Sequence, residues 1–147
     1  MTRRAYAHRL AAAAPDDVSA LEAAFASGAI DPRAVVAVLG KTEGNGCVND
    51  FSRGFATRAL SDALTRAGAD AADVCLVMSG GTEGALSPHF LVLEARNTDE
   101  APDGPALALG RARTPALAPE QLGRLAQVDM VAETVLKAMA DAGLASP

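Results

Sequence analysis

The stretch AVVAVLGKTEGNGCVNDFSRGFA at residues 34–56 decides the fold of this 147-residue chain. It opens on a valine-rich apolar run at 34–39, which is typical of a buried strand. Gly40 closes that run and is followed by a glycine-rich turn. Asp50, at the end of the turn, is a residue type that favours the start of a helix. The pattern therefore predicts a strand, a tight turn and then a helix that continues to about Ala67.

The same kind of pattern predicts strands and helices on both sides of this stretch. Hydrophobic periodicity and glycine or proline boundaries predict an N-terminal strand, further strands at 34–39, 74–78, 90–94 and 105–113, and helices over 17–27, 50–67 and 119–142. The second helix is expected to line its buried side with Phe51, Phe55, Leu60 and Leu64. The third is expected to carry an apolar stripe made of Leu122, Leu125, Val128, Val131, Val135 and Met139. The predicted fold class is α+β, with a mixed sheet and helices mainly on one face.

A glycine turn of the form G-x-T-E-G occurs twice, at 40–44 and at 80–84, each time directly after a valine-containing strand. Such an internal sequence repeat indicates related structural units around a shared sheet. The long helix over 119–142 repeats the start of this unit, but no strand follows it. Two interpretations stay open: the chain stops inside a larger protein, or this helix docks on the sheet already formed.

Composition excludes several functional classes. The chain has 13 basic against 18 acidic residues, a net charge of −5 and 3% aromatic residues, whereas a nucleic-acid-binding protein needs a basic surface and often stacking rings. No apolar run approaches the length of about 18 residues that reads as a membrane span. The cysteines, Cys47 and Cys75, match neither a disulfide framework nor a zinc spacing, which favours a protein of the reducing cytoplasm.

Two turns contain residues that could carry chemistry. Lys41 ends a buried strand, where desolvation would lower the pKa of a lysine, although a turn lysine at the surface fits equally well. Ser79 stands beside Gly80 after the next strand, and a hydroxyl next to glycine N–H groups can form an oxyanion-binding site or a nucleophile. A simple turn explains the second pattern as well.

Other kinds of site find no support in the spacing. Two histidines, His8 and His89, are too few for a histidine-based metal centre. No metal and no other cofactor is expected. A phosphate-binding P-loop needs a glycine where the chain has Val35. Cys47 fits a small residue in a tight turn better than a reactive thiol.

The two turns taken together resemble a known family. KTEGNGCVNDFSRGFA at 41–56 and MSGGTEGALSPH at 78–89 are similar to the first repeat of the cyanuric acid hydrolase and barbiturase family, the ring-opening amidohydrolases. The segment PEQLGRLAQVDMVAETVLKAMADAG at 119–143 is similar to the opening of the second repeat. The resemblance covers nearly the whole chain and implies one unit of a pseudo-threefold architecture built from three units.

The resemblance also implies a function, the hydrolysis of a flat cyclic imide by a lysine-activated serine without a metal. It assigns Lys41 and Ser79 as catalytic residues of the first unit, and Arg53, Ser79 and Gly80 as substrate-binding residues. In the family the attacking serine belongs to the second unit, so the residues present here resemble a substrate-holding set. The resemblance does not choose between cyanuric acid and barbiturate.

The predicted organisation is a first repeat unit at 1–104, a linker at 105–118 and the leading helix of a second, truncated unit at 119–147. The expected partners are the small cyclic substrate and the missing repeat units, in a homo-oligomer without nucleic acid or membrane. Two alternatives remain open: a binding module of the same fold without turnover, and a homotrimer of short chains that rebuilds the site by symmetry.

Overall fold

A computed structural model describes residues 2–81, 88–100, 104 and 107–145 of the chain. The chain folds as two compact units, Met1–Ala101 and Pro102–Pro147. Within the described residues, no helix combines the length and the apolar character that a membrane crossing requires. The turn residues Thr82, Glu83 and Gly84, which belong to the second G-x-T-E-G sequence, lie outside the described residues.

The first unit contains a mixed sheet of four strands. Its elements in chain order are β1 (Thr2–Ala11), α1 (Ser19–Ala26), β2 (Val35–Lys41), α2 (Ser52–Arg66), β3 (Cys75–Ser79) and β4 (His89–Thr98). The strand order is β1-β4-β2-β3; β4 pairs antiparallel with β1 and β2, whereas β2 and β3 run parallel. The predicted mixed sheet and the four predicted strands of this unit are confirmed.

The core lies between the two helices and one face of this sheet. Leu21 of α1 and Leu60 of α2 are fully buried together with Val38, Phe90 and Val92 of the central strands. The buried residues of β4 alternate along the strand, as expected when a strand buries one face against helices, whereas β2 is buried at four consecutive residues, Val35 to Val38. The prediction that the helices pack mainly on one face is confirmed for these two helices.

The buried side of α2 differs from the prediction. Its buried residues are Ala56, Leu60, Ala63 and Leu64, whereas Phe51 is 86% and Phe55 56% exposed. Phe51 precedes the first helical residue, and Phe55 lies one position, or about 100° of helix rotation, before the buried Ala56. The small alanines face the sheet, so the two large rings are turned away from the core.

The second unit contains α3 (Leu125–Asp141), a shorter helix than the one predicted over 119–142. Pro119–Gln121 forms a separate 3₁₀ turn, and Gly123 has a positive φ of 71°, a conformation that ends regular helix. Leu122 of the predicted stripe therefore lies outside the helix. Leu125, the first residue of the stripe within α3, is 79% exposed, and α3 has no buried residue.

The strand predicted over 105–113 is wrong for its described part, since residues 107–113 have no regular structure. The amide of Arg111 donates to Asp141 Oδ2 of α3 at 3.0 Å. An amide engaged by a helix side chain is not available to a strand ladder, which accounts for the irregular backbone at this point.

Candidate active site

Lys41 and Ser79 are the last residues of the parallel strands β2 and β3, and they are register partners. Register partners on neighbouring strands project to the same face, about 4.8 Å apart. The two residues therefore lie side by side at the carboxyl-terminal ends of β2 and β3. On the other side of β2, His89 of β4 is the antiparallel partner of Lys41. His89, Lys41 and Ser79 thus form a row across three strands.

Lys41 is buried, with 8% of its surface exposed. Its Nζ lies 2.9 Å from Glu43 Oε1. Glu43 has a positive φ of 54°, which is uncommon for a residue other than glycine. The burial of Lys41 contradicts its interpretation as a turn lysine at the surface. Its ion-pair partner Glu43 could not be chosen from the sequence, because the left-handed backbone that brings it there leaves no local signal.

Arg53, the second residue of α2, reaches the turn that follows β3. A Cβ atom built on Gly80 would lie 3.2 Å from Arg53 Cδ, so the arginine stem packs against this buried glycine. Its Nη2 donates to the carbonyl of Cys47 at 2.8 Å. The four residues predicted for the site, Lys41, Arg53, Ser79 and Gly80, therefore belong to three segments that meet at one edge of the sheet.

Asp50 connects these segments, and sequence analysis identified it only as a helix start. Its side chain is 2% exposed. Oδ1 accepts hydrogen bonds from the amide and the hydroxyl of Ser52, at 2.9 and 2.5 Å, and Oδ2 accepts one from the amide of Gly46 at 2.8 Å. The hydroxyl of Ser52, then the amides of Gly46 and Ser52 and the charge of Arg53, outweigh burial and hold the pKa of Asp50 below its ordinary value of 3.8.

The lowered pKa of Asp50 predicts an acid-sensitive fold. The Asp50 carboxylate stabilises the folded chain at pH values above 3.8, and this contribution is lost as the pH falls from there through the lower pKa of the folded state. We expect Asp50→Asn to flatten the pH dependence of the free energy of unfolding below about pH 4. Urea unfolding between pH 2.5 and 6 measures this slope.

Asp62→Asn is the matched control, because Asp62 lies on the same helix and its side chain is 53% exposed. An unchanged slope in Asp50→Asn, or an equal change in both variants, would contradict the assignment.

The site offers hydrogen-bond donors of several kinds: a lysine ammonium, an arginine fork, a serine hydroxyl and a glycine amide. Ser79 is exposed, so its hydroxyl is accessible to a ligand. Such donors suit carbonyl oxygens arranged around a planar ring. In the part of the chain that the structure describes, no group of three histidine, cysteine or acidic residues is arranged to hold a metal ion.

His8, the second histidine considered, has a structural role. Its Nε2 lies 2.5 Å from Glu94 Oε2, and the Glu94 carboxylate is fully buried. The two strands that carry this pair, β1 and β4, lie at the side of the sheet away from β3.

Comparison with known proteins decides the family. Residues 6–147 match the sequence pattern of the family described as amidohydrolase ring-opening protein. The chain belongs to this family. It is 60% identical over 141 residues to the cyanuric acid amidohydrolase of Azorhizobium caulinodans, a match that covers 95% of this chain and 40% of that protein. It is also 47% identical over 146 residues to a cyclic amide hydrolase of the same organism, covering 95% and 40% of the two chains.

Solved structures of this family share the fold. The crystal structure of the cyanuric acid hydrolase from A. caulinodans matches 97% of this chain and 40% of its own, with a TM-score of 0.88 and 58% identity. A second cyanuric acid hydrolase, described as an evolutionary innovation by structural concatenation, matches 99% and 42% of the two chains, with a TM-score of 0.90 and 43% identity. This chain thus spans about two fifths of the length of the relatives that it matches.

Proposed function

We propose that this chain forms the first third of a cyclic amide hydrolase that opens the ring of cyanuric acid. The observation that carries the proposal is the meeting of Lys41, Ser79 and Arg53 at one edge of the sheet, in a chain of the ring-opening amidohydrolase family. The relatives named cyanuric acid amidohydrolase support the choice of substrate.

In the proposed reaction a serine oxygen attacks one ring carbonyl, the adjacent C–N bond breaks and the ring nitrogen takes a proton. Water then hydrolyses the acyl-enzyme and releases the ring-opened carboxylate, so that one water is consumed for each ring. Following the family resemblance, we place the attacking serine and its activating lysine in another repeat. In this repeat the Ser79 hydroxyl and the Gly80 amide polarise a carbonyl oxygen, and the arginine fork of Arg53 orients the imide edge.

Lys41 has a proton-handling role in this proposal. A buried lysine next to a carboxylate can hold or release a proton beside the ring, and Glu43 at 2.9 Å is the carboxylate in reach of its Nζ. One repeat encloses only part of a flat ring, and water competes for each exposed hydrogen bond. Full activity therefore requires the assembled protein, by which we mean this chain together with the further repeats that complete the site.

The proposal includes a cytoplasmic location, where free thiols such as Cys47 and Cys75 stay reduced. Barbiturate is the second substrate to be tested.

Incubation of the assembled protein with cyanuric acid and, separately, with barbiturate tests the function, with the ring-opened products measured by mass spectrometry. We expect turnover of cyanuric acid in the assembled protein and a far lower rate for this chain alone. Binding of either ring without any product would favour the non-catalytic binding module. Full activity of the 147-residue chain as a trimer would favour assembly from identical short chains.

A further inference from the structure

The backbone of Ser79 is held by Thr42, the first residue after β2. The carbonyl of Ser79 accepts a hydrogen bond from the Thr42 amide at 2.8 Å and lies 3.1 Å from the Thr42 hydroxyl. Thr42 is 1% exposed, so water does not compete for these contacts. The orientation of Ser79 and of the following Gly80 amide therefore depends on where Thr42 is held.

A chain of hydroxyl groups holds Thr42. Its Oγ1 lies 2.7 Å from Ser52 Oγ, and Ser52 Oγ donates to Asp50 Oδ1 at 2.5 Å. A carboxylate can only accept, so the single hydroxyl proton of Ser52 is committed to Asp50. Ser52 Oγ therefore accepts from the Thr42 hydroxyl, which shares its single proton between Ser52 Oγ at 2.7 Å and the Ser79 carbonyl at 3.1 Å. Hydrogen-bond donation therefore runs from Thr42 to Ser52 and from Ser52 to the charged Asp50.

The Asp50 carboxylate also fills the space between the two glycine turns. A Cβ atom on Gly80 would overlap Asp50 Oδ2, and one on Gly44 would overlap Asp50 Oδ1. The amide of Gly46 donates to the same carboxylate at 2.8 Å. One buried carboxylate is thus in close contact with the turn after Lys41, the start of the helix that carries Arg53 and the turn after Ser79.

We propose that Asp50, Ser52 and Thr42 are positioning residues, which set Ser79 and Gly80 in the correct orientation relative to Lys41 and Arg53. This inference rests on the proposed ring-opening function. The three residues do not touch the substrate; they act by keeping the donors on three separate segments in one geometry. Small errors in such geometry lower turnover more than they lower binding.

The test compares kcat and KM for cyanuric acid in the assembled protein. Thr42→Val, which removes the hydroxyl and keeps the shape, is expected to lower kcat by about tenfold with little change in KM, and Ser52→Ala to do the same. Thr42→Ser, which restores the hydroxyl, should recover kcat to within about twofold. The double variant Thr42→Val with Ser52→Ala should lose about tenfold and not a hundredfold, because both changes break one chain.

The matched control is Thr65→Val. Thr65 is exposed on α2, the helix that begins at Ser52, and its hydroxyl donates to the carbonyl of Ser61 at 2.9 Å. We expect this variant to keep kcat. Two results would overturn the proposed positioning role of the Thr42–Ser52–Asp50 hydrogen bonds, which we call the relay. One is a loss of about a hundredfold in kcat in the double variant, and the other is a Thr42→Ser variant as slow as Thr42→Val.

Hydrogen exchange separates failure of the relay from failure of the proposed function. In the assembled protein without substrate, Ser52→Ala should speed exchange of the residue 42 amide by about tenfold, whereas Thr65→Val should leave it unchanged. If the unmodified protein opens no ring, the proposed function is wrong. The amide exchange rates of the variants still test the relay in that case. Unchanged exchange in Ser52→Ala would contradict the relay even in an active enzyme.

Discussion

Replacing Ser79 or Arg53 by alanine is expected to lower kcat/KM for cyanuric acid by about 10²–10³ in the assembled protein. In the proposed arrangement Ser79→Ala removes a donor to the ring carbonyl on which charge develops, and Arg53→Ala removes the donors that orient the imide edge. The loss of one such donor has this order of effect. Neither change should abolish the covalent step, because the proposed nucleophile belongs to another repeat. Steady-state kinetics measure the loss, and trapping of the acyl-enzyme followed by peptide mapping locates the acyl group.

Arg58→Ala and Ser61→Ala are the matched controls. Both residues lie on α2, and the Arg58 side chain, five residues beyond Arg53, is 81% exposed. We expect both variants to retain the unmodified rate. An acyl group found on Ser79 would overturn the proposed division of roles and make this repeat the one that supplies the nucleophile.

Arg96→Met is expected to lower the free energy of unfolding by about 3 kcal/mol. Glu94 is fully buried on β4, and Arg96 donates to its two oxygens through Nε and Nη2, both at 2.9 Å. The Asp31 amide also donates to Glu94 Oε1, at 2.7 Å. Removing the arginine leaves a buried carboxylate with His8 as its remaining ionisable partner among these contacts, and an undercompensated buried charge is costly.

Arg66→Met separates the effect of burial from that of losing an ion pair. Arg66 Nη2 lies 2.6 Å from Glu22 Oε1, but the two side chains are 60% and 48% exposed. An exposed pair of this kind contributes about 0–1 kcal/mol. Urea unfolding of both variants measures the difference. Equal losses in the two variants would show that burial of Glu94 does not determine its contribution.

Local patterns predicted the elements of the first unit closely. The valine-rich run at 34–39 became β2, and the helix expected from Asp50 to about Ala67 became Ser52–Arg66. The prediction failed where neighbours outside the local pattern decide the outcome. Phe51 and Phe55 read as core residues because they are large and apolar, yet the closely packed side of α2 requires the small Ala56 and Ala63.

The residues proposed for the site could be selected from the sequence, but their support could not. Lys41, Arg53, Ser79 and Gly80 stand out because glycine turns after strands and a resemblance to a known family mark them. Thr42, Ser52 and Asp50 were part of the same quoted stretch, yet nothing local shows that they form one hydrogen-bonded chain. His89 was considered only as a metal ligand, and its place as the strand partner of Lys41 depends on the register between β2 and β4.

The sequence by itself determined the strands and helices of the first unit, because alternation and helical periodicity are properties of neighbouring residues. It also determined the family, through two long motifs. Only the tertiary structure decided the strand order β1-β4-β2-β3, the register that sets Lys41 opposite Ser79, and the burial of Asp50 and Glu94. These features depend on which surfaces pack together although they are distant along the chain. The packing that forms is the one that minimises exposed apolar area and unpaired polar groups over the whole unit.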